Sequence, residues 1–469
     1  MSAEPALMSL VAVAKAIATR EASSREVTQS CLKRIAEWQP RLNAFMAIEA
    51  EAALAAADAA DAALARGNAR GALHGVPLAH KDMYYDAGHV VTCGSLIRRD
   101  FVATTTSTAL QRLKDAGTVR LGSLQMVEFA YGPTGHNVHY GAVRNPWNVD
   151  HITGGSSSGS GSAVAARLTF AALGSDTGGS IRMPAHFCGV TGLKPTNGRV
   201  SRANAMPLSF TLDTVGPLAQ TAEDCAIVLS VIAGPDPLDP TTALAPKWDG
   251  KTMKRPAKGM TIGVPKSFYV DDLEPDVAKA LDDAIAVFKK LGVKVIQVEL
   301  PDQAMVAAAA LIVLAVEAAT YHAPWLRTRP DDYGAQVRNR LQNGLAYSAV
   351  EYLEALRWRA HALEAHLAAI GKCDAVLAPA SRAVASTLAE TDVAGASNAE
   401  AIIQGITRFM RPINYLGLPA LVIPAGFGQR NMPIGLQLIG RPFNDETVAA
   451  LGMAFQGATD FHKKVPALA

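Results

Sequence analysis

The chain has 469 residues, of which 49% are hydrophobic and 18% are charged, a composition typical of a globular protein with a large core. Its formal net charge is only +2 and its lysines and arginines are scattered, so composition gives no support for binding to nucleic acid or to an anionic membrane. The five cysteines are dispersed without a Cys-x-x-Cys pair, which favours reduced thiols in a cytoplasmic protein over a disulfide framework.

The N-terminal segment 1–66 is predicted to be helical. Ser23 to Glu26 has the Ser-x-x-Glu pattern of a capping box, and it precedes apolar residues at helical spacing. The alanine-rich stretch 42–66 has a strong helix composition. The longest uncharged apolar stretch, Gln303 to Val316, is too short to span a bilayer and predicts a buried helix. We therefore expect no membrane anchor and a cytoplasmic location.

Strands and helices alternate from residue 67 onward. The predicted elements are a strand within Gly75 to Asp82, a helix over Ser107 to Asp115, a strand over Thr118 to Leu121, a helix over Ala163 to Leu168, a strand over Thr261 to Val264, a helix over Pro275 to Leu291 and a strand over Val293 to Val298. This alternation predicts an α/β fold with a central mixed, mostly parallel, twisted sheet covered by helices on both faces. We treat residues 1–469 as one domain, with residues 67–440 as its core.

Two Gly/Ser-rich clusters are separated by one predicted helix and one apolar strand. The first cluster runs from Gly154 to Ser160 and the second from Gly174 to Arg182. A serine flanked by glycines can lie on a tight turn where several backbone N–H groups converge, as an oxyanion hole requires. A hydroxyl is a weak nucleophile unless a nearby base takes its proton. The clusters therefore indicate a serine hydrolase and leave its nucleophile and base to be identified.

A Gly-x-Ser-x-Gly string from Gly155 to Gly159 nominates Ser157 as the nucleophile. We reject this interpretation, because a nucleophile elbow needs a strand that runs straight into the serine. The residues before it include Pro146 and Asp150, which do not predict a strand. The string is also easily matched by chance inside a Gly/Ser-rich run.

Several separate motifs, in the right order, resemble those of the amidase-signature family. The matches are Gly75 to Asp82 (the family's lysine strand), Gly154 to Ser160, Gly174 to Arg182, Pro184 to Arg199, Asp213 to Pro217, Gly417 to Ala420 and Gly435 to Gly440. The resemblance implies the amidase-signature fold, with a sheet between two layers of helices. Two departures are Ser158, where the family usually has glycine, and His80, where it usually has an aliphatic residue.

The resemblance also implies a Ser-cisSer-Lys triad. Ser180 is the expected nucleophile, and Ser156, which lies in the first cluster and is preceded by a cis peptide bond from Gly155, is the expected proton relay. Lys81 is the expected base. A lysine with an ordinary pKa of about 10.4 is already protonated at neutral pH, so burial must lower the pKa of Lys81 toward neutrality.

The same resemblance implies where the oxyanion and the substrate bind. The expected oxyanion donors are the backbone N–H groups of Ser180 and of the three residues before it, Thr177, Gly178 and Gly179. Gly155, in the first cluster, is expected to lie near them. The stretch that opens the pocket contributes Met126, Phe129 and Tyr131. Four more aromatic residues, Tyr321, Trp325, Tyr333 and Tyr347, lie in the less regular segment that closes the pocket. They would suit an apolar or aryl group of the substrate, and packing in the core is an equally good interpretation, because aromatic residues at irregular spacing are mostly core residues.

Other polar residues have plainer interpretations. Asp176 and Arg182 are expected to hold the nucleophile turn rather than to act as acid or base. Cys188 is expected to pack in the core. His136 and His139 lack an evident third ligand, so no metal site is predicted. No phosphate-binding Gly-x4-Gly-Lys-Ser/Thr string occurs, and no cofactor is expected.

The predicted activity is hydrolysis of small-molecule carboxamides, and anilides, carbamates and esters are compatible with the same acyl-enzyme chemistry. The expected partner is a small-molecule amide, with no nucleic acid and no membrane, and the protein is expected to be a monomer or homodimer. The alternative is the amidase subunit of a tRNA-dependent amidotransferase. Those subunits usually carry an aspartate just before a Pro-x-Asn-x-x-Gly-Leu-Pro motif, whereas residues 401–410 contain no carboxylate, and Arg408 and Arg411 occupy this area.

Overall fold

The computed structural model describes residues 4–246, 248, 250 and 252–467. Its first third contains α1 (Leu10–Ala18), α2 (Ser24–Leu42), β1 (Phe45–Ile48), α3 (Ala50–Ala65), β2 (Pro77–Lys81), α4 (Thr108–Asp115), β3 (Val119–Leu124), β4 (Arg144–Asn145) and β5 (Asn148–Ile152). The middle third contains α5 (Ser158–Ala165), β6 (Ala171–Asp176), α6 (Arg182–Cys188), β7 (Thr191–Lys194), β8 (Thr214–Ala219), α7 (Ala222–Ile232), β9 (Thr261–Pro265), α8 (Pro275–Lys290) and β10 (Lys294–Val298). The last third contains α9 (Gln303–Thr328), α10 (Ala335–Gly344), α11 (Ala349–Ile370), β11 (Ala375–Pro379), α12 (Ala399–Thr407), α13 (Arg411–Leu416), β12 (Ala420–Phe427), β13 (Pro433–Gly440) and α14 (Asp445–Gly457).

An eight-stranded mixed sheet forms the centre of the fold, in the order β10-β9-β11-β13-β12-β7-β8-β6. The predicted α/β class with a mixed central sheet is thereby confirmed. The expectation that this sheet is mostly parallel is wrong, because among its described strands only β10–β9 and β9–β11 pair in parallel. The other neighbours in this sheet are antiparallel. Alternating strands and helices predict parallel crossovers, but β12 and β13 are joined by a short connection and pair directly.

Helices pack on both faces of this sheet. A Cβ atom placed on Gly435 of β13 would lie 2.9 Å from Val422 of β12 and 3.2 Å from His186 of α6. A Cβ atom on Gly452 of α14 would contact Leu421, the residue before Val422. Because consecutive strand residues point to opposite faces, α6 and α14 cover opposite sides of the sheet.

The N-terminal segment is less helical than predicted. The capping box of α2 is confirmed, since Ser23 Oγ accepts a hydrogen bond from Glu26 N–H and the Glu26 carboxylate accepts one from Ser23 N–H. The predicted helix over residues 42–66 is wrong at its start, because Asn43 adopts the left-handed conformation and ends α2. The chain then forms β1, which pairs with β3, and only α3 follows the predicted helix. Pairing with a strand far along the sequence outweighs the local helix propensity.

A three-stranded sheet, ordered β1-β3-β2, carries the predicted base. Strand β2 runs parallel to β3, and every residue of β2 is buried. Lys81 is its last residue. This sheet therefore holds Lys81 at a strand end inside the protein, where its side chain can reach the Gly/Ser clusters.

Helix α9 extends well beyond the predicted helix over residues 303–316. With 26 residues it is long and apolar enough to cross a membrane, judged by length and composition alone. Half of its most apolar 18-residue stretch is buried inside the protein. It also contains the fully buried Glu317, whose carboxylate accepts hydrogen bonds from Ser209, Thr211 and Tyr352. These contacts tie α9 to α11 and to the loop before β8.

Candidate active site

The two Gly/Ser clusters form two adjoining turns. The first leads into α5, which begins at Ser158, earlier than the predicted helix over residues 163–168. The second follows β6 and leads into α6. The peptide bond between Gly155 and Ser156 is cis, as the resemblance implied.

Ser157 joins these two turns. Its Oγ is fully buried, accepts a hydrogen bond from Ser175 N–H at 3.2 Å and donates one to the Ser175 carbonyl at 3.3 Å. A short strand, β5, does precede the first cluster, so the expectation that no strand lies there is wrong. The rejection of Ser157 nevertheless agrees with the structure, because its hydroxyl is used within the scaffold.

Lys81 is buried beneath both turns. Its Nζ donates hydrogen bonds to Ser156 Oγ at 2.7 Å and to Ser175 Oγ at 2.8 Å. Burial lowers the pKa of Lys81 to about 7, although the carboxylates of Asp213 and Asp176 act in the opposite direction. A substantial fraction of this lysine is therefore neutral near pH 7, which is the state in which an amine can accept a proton.

Ser180 lies at the wall of a cavity, and its backbone is bonded to the first turn. Its carbonyl accepts a hydrogen bond from Ser157 N–H at 3.3 Å, and its side chain lines the cavity. The hydrogen bonds between described residues do not include one from Ser180 Oγ to Ser156 Oγ. The structure thus brings Lys81 and Ser156 into direct contact and leaves the final step of the predicted relay as a prediction. Ser175, which also binds Lys81, was missed because it belongs to the second cluster without being flanked by two glycines.

The nucleophile turn is held by Asp176 and Arg182, as predicted. The Asp176 carboxylate accepts hydrogen bonds from the N–H groups of Gly179, Ile181 and Arg182. Arg182 Nε and Nη2 bind the same carboxylate at 3.0 and 3.1 Å, and both side chains are fully buried. Burial acts to raise the pKa of Asp176, but the combined effects of Arg182, of the nearby Lys194 and of the Asn414 hydrogen bond lower it to about 2. Asn414 adds a further hydrogen bond at 2.8 Å, a role that the sequence did not reveal.

Gly179 has a conformational role that differs from its predicted one. Its N–H group donates to Asp176 Oδ1 at 2.8 Å, so it is not free to bind the oxyanion. Its φ of +115° is strained for other residues, and a Cβ atom there would lie 2.6 Å from Met410. The N–H groups of Thr177, Gly178 and Ser180 remain the predicted oxyanion donors. The Thr177 side chain is fixed separately by its hydrogen bond to Asp213.

The cavity in front of Ser180 has a volume of about 330 Å³. Its wall is part apolar and part polar, and it combines the nucleophile turn with residues of α9, α10, α12 and α13. The lining residues are Ala130, Tyr131, Gly132, Pro133, Thr177, Gly178, Ser180, Met183, Leu208, Leu311, Leu314, Ala315, Arg340, Asn343, Tyr347, Glu400, Ile403, Gln404, Thr407 and Arg411. The volume suits a small molecule.

The predicted substrate-binding residues divide between this cavity and the core. Tyr131 and Tyr347 line the cavity, whereas Met126, Phe129 and Gly155 do not. Phe129 is instead stacked on Trp325 at 5.5 Å and contacts Tyr333, and Met126 is buried. Tyr321 packs against Trp325 on the outer side of α9. Most of the irregularly spaced aromatic residues thus form a separate aromatic cluster, so the predicted aryl preference loses much of its basis.

Three charged side chains line the cavity. Arg340 donates a hydrogen bond to the Tyr131 carbonyl at 3.1 Å and lies 3.8 Å from the Glu400 carboxylate. Arg411 lies against the nucleophile turn, with its Cγ 3.8 Å from the position of a Cβ atom on Gly178. Burial lowers the pKa of both arginines, whereas the negative charge of Glu400 acts to raise the pKa of each. The expected position of the carboxylate lay within residues 401–410, so the motif did not indicate Glu400, which lies directly before that stretch.

The remaining candidate residues are engaged elsewhere. His80 is buried and accepts a hydrogen bond from Leu173 N–H at 3.2 Å, and burial lowers its pKa to about 3, so it packs within the scaffold. Cys188 is fully buried with its Sγ on the Thr153 carbonyl, and burial raises its pKa. His136 contacts Thr391 Oγ1 and His139 contacts Glu128 Oε1, both at 2.9 Å.

Comparison with known proteins gives consistent results. Residues 26–449 match the family model described as Amidase. A glutamyl-tRNA(Gln) amidotransferase subunit from Neisseria meningitidis is 38% identical over 473 residues, covering 96% of this chain and 97% of the relative.

Solved structures with the same fold belong to proteins of more than one kind. One is from a protein complex described as vestigial and as revealing the evolutionary origins of an s-triazine catabolic enzyme. It is 35% identical with a TM-score of 0.90, and the alignment covers 96% of this chain and 98% of that one. The peptide amidase of Stenotrophomonas maltophilia is 29% identical with a TM-score of 0.83, and 96% of each chain is covered. The chain belongs to the amidase-signature family of enzymes, which act on amide C–N bonds.

Proposed function

We propose that this protein hydrolyses the carboxamide of a small molecule through an acyl-enzyme formed on Ser180. The observation that carries the proposal is the buried Lys81, whose pKa is about 7 and whose Nζ lies 2.7 Å from Ser156 Oγ, beside a cavity lined by Ser180. A neutral amine, a relay hydroxyl and a cavity-facing hydroxyl are the groups that nucleophilic catalysis by serine needs.

The acylation step follows from this arrangement. Ser180 Oγ attacks the amide carbon, and its proton passes through Ser156 Oγ to Lys81 Nζ. The C–N bond then breaks, and the leaving ammonia or amine takes a proton back from Lys81 through Ser156. The oxyanion is stabilised by the backbone N–H groups near Ser180, and loss of one such donor typically costs about a hundredfold or more in rate.

Deacylation uses the same groups in reverse. A water molecule takes the place of the departed amine and gives its proton to Lys81 through Ser156. Its oxygen attacks the ester carbon, and the bond between that carbon and Ser180 Oγ breaks. Lys81 returns the proton through Ser156 to Ser180 Oγ, and the carboxylic acid product is released. Esters and carbamates are compatible with this chemistry because their leaving groups are no harder to expel. A small-molecule substrate, a cytoplasmic location and a monomer or homodimer without nucleic acid or membrane form part of this proposal.

The second candidate is the amidase subunit of a tRNA-dependent amidotransferase, with glutamine as the ammonia donor. The curated relatives, which carry that function in their names at 38% identity, favour this candidate. Glu400 supports it as well, because a carboxylate in the cavity wall can bind an α-ammonium group. This assignment would make the chain one component of an assembly rather than a self-sufficient hydrolase.

The nucleophile is tested by intact mass after treatment with phenylmethylsulfonyl fluoride, for wild type, Ser180→Ala and Ser157→Ala. We expect one covalent adduct on wild type and none on Ser180→Ala. Peptide mapping of any adduct on the Ser157→Ala variant should place it on Ser180. Turnover that survives in Ser180→Ala would show that the proposed mechanism is wrong.

The two candidate functions are separated by ammonia release from L-glutamine and from simple carboxamides. An amidase that acts alone should hydrolyse simple carboxamides in a Ser180-dependent manner as the isolated chain. An amidotransferase subunit should prefer glutamine, and a tagged chain expressed in its native host should copurify with partner subunits in fixed proportion. Comparing both substrates on one preparation decides between the candidates.

A further inference from the structure

We propose that Asp213 is a positioning residue for catalysis: its buried carboxylate stabilises the positive charge that Lys81 acquires when it takes the proton of Ser180. This inference rests on the proposed function and adds a residue to its machinery. Asp213 is the first residue of a sequence motif, Asp213 to Pro217, that takes no part in the acylation and deacylation steps.

Asp213 lines a second cavity, of about 240 Å³, which shares no described lining residue with the substrate cavity. Ser175 lines this second cavity as well. Ser175 Oγ accepts a hydrogen bond from Lys81 Nζ at 2.8 Å, so the second cavity is bounded both by the carboxylate and by a direct partner of the amine. A charge at this place acts on Lys81 without touching the substrate.

The Asp213 carboxylate is held in place by three hydrogen bonds. It accepts one from Thr177 Oγ1, one from Leu208 N–H at 2.9 Å and one from Ser209 N–H at 3.1 Å. Burial raises the pKa of this carboxyl, whereas these hydrogen bonds and the positive charge of Arg202 act to lower it. Three donors on one carboxylate stabilise its ionised form.

Asp213 forms no ion pair within the described part of the chain, and no described hydrogen bond joins it to Lys81. Arg202, which lines the same cavity, is bound to Asp239 at 3.1 Å. The field of a buried carboxylate without an adjacent cation is screened less than it would be in water. Asp213 accordingly has the largest charge effect on Lys81 and acts to raise its pKa, which favours the protonated amine. The proton stays on Lys81, and the carboxylate acts through space.

The charge of a second carboxylate near Lys81 is offset by its own partner. Asp176 also acts to raise the pKa of Lys81, with a smaller effect than Asp213. Arg182 Nε lies 3.0 Å from the Asp176 carboxylate, and both side chains are fully buried. Asp213 is therefore the carboxylate whose negative charge is available to the protonated lysine.

The other titratable groups around Lys81 do not supply this charge. Burial raises the pKa of the Cys93 thiol to about 12 and raises that of the Tyr84 phenol, so both groups are neutral at physiological pH. On the strand of Lys81, burial lowers the pKa of His80 to about 3, which leaves the imidazole neutral. Burial raises the pKa of Asp82 to about 7, so the titration of Lys81 has to be followed on Lys81 itself.

The first test is the pH profile of butyramide hydrolysis by Asp213→Asn, which removes the charge and keeps an acceptor for Thr177. We expect the inflection of kcat/KM to move from about pH 7 to lower pH by about one unit, because a lysine that loses a nearby negative charge is harder to protonate. Above the inflection, kcat should fall about tenfold, since an amine of lower pKa is a weaker base. KM should change little, because Asp213 does not line the substrate cavity.

Two control variants separate the charge of Asp213 from its structural contacts. Asp239→Asn removes a carboxylate from the same cavity, but one that is paired with Arg202, and should keep the inflection near pH 7. Thr177→Val removes a hydrogen bond to Asp213 and leaves its charge, so its inflection should also stay near pH 7. Loss of rate in Asp213→Asn with an unmoved inflection would show a purely structural role and overturn the inference.

A direct titration of Lys81 needs no turnover. Protein labelled with ¹³C at the lysine Cε atoms is titrated by NMR, and the Lys81 signal is identified by its absence in Lys81→Met. We expect this signal to titrate at lower pH in Asp213→Asn than in wild type, and Asp213→Ser is the second variant if the asparagine variant does not fold. If wild type hydrolyses no amide, the proposed function fails, yet the titration still decides the role of Asp213. Equal titration of Lys81 with and without the Asp213 carboxylate would overturn it.

Discussion

At the residue scale, the buried amine of Lys81 determines how activity should depend on pH. Burial lowers its pKa to about 7, and below that value the amine is protonated and cannot accept the proton of the nucleophile. We predict that kcat/KM falls about tenfold per pH unit below pH 7 and levels off above it. Lys81→Met should lose about 10²- to 10⁴-fold in rate.

A second buried lysine provides the control for this profile. The pKa of Lys194 is also lowered to about 7 by burial. Its Nζ donates a hydrogen bond to the Pro195 carbonyl, and the described hydrogen bonds include none from Lys194 to Ser156 or Ser180. Lys194→Met should therefore keep the inflection near pH 7. An inflection that disappears in Lys194→Met and persists in Lys81→Met would contradict the assignment of the base.

Loss of the buried Asp176–Arg182 ion pair should lower the free energy of unfolding more than loss of an exposed ion pair. Replacing Asp176 with asparagine leaves the fully buried guanidinium of Arg182 without its counter-charge. We expect the free energy of unfolding to fall by about 3–5 kcal/mol, measured by urea denaturation. Asp100→Asn, which breaks an exposed pair with Arg99, should change it little. Equal stability of the two variants would show that the buried pair does not hold the turn.

At the scale of elements, the turn between β6 and α6 depends on the backbone of Gly179. Gly179→Ala places a Cβ atom 2.6 Å from Met410 at a φ of +115°, so we predict a loss of about 1–3 kcal/mol of unfolding free energy. Gly178→Ala is the neighbouring control, because the atoms nearest to its Cβ position are 3.8 Å away. Thermal unfolding of both variants checks the prediction. A Gly179→Ala protein as stable as Gly178→Ala would mean that the turn relaxes without strain.

At the scale of the whole molecule, the alternating pattern and the motifs were sufficient to predict the fold class and some of the elements after residue 67, among them β2, α4, β3, α8 and β10. The number of parallel strand pairs in the sheet was overestimated. Strand direction depends on which strands pair with each other, and pairing between segments far apart in sequence produces no periodic pattern within either segment. The strand β1 was missed for the same reason, since its partner β3 lies far along the chain, beyond α3 and β2.

The candidate site shows a similar division. The motif residues Lys81, Ser156 and Ser180 were named from the sequence; the structure shows Lys81 hydrogen-bonded to Ser156 and Ser180 lining the cavity, and the complete triad stays a prediction. The residues contributed by α9, α10 and α12, including Arg340 and Glu400, belong to no motif. Their arrangement depends on how distant helices pack, which neither spacing nor composition reports. Specificity was therefore the least predictable property.

The C-terminal boundary of the core, which was predicted at residue 440, can be tested through Asp445 on α14. Its carboxylate accepts hydrogen bonds from Thr196 N–H at 2.7 Å and from Arg199 Nε at 3.2 Å, and both charged side chains are fully buried. We predict that Asp445→Asn lowers the free energy of unfolding by about 3–5 kcal/mol, because it leaves Arg199 without a main counter-charge. Asp460→Asn, on an exposed pair with Lys463, is the control for this substitution and should unfold like wild type.

Truncation after residue 440 should abolish soluble expression, since it removes α14 from one face of the sheet. A soluble, cooperatively folded chain ending at residue 440 would support the predicted boundary and contradict this prediction.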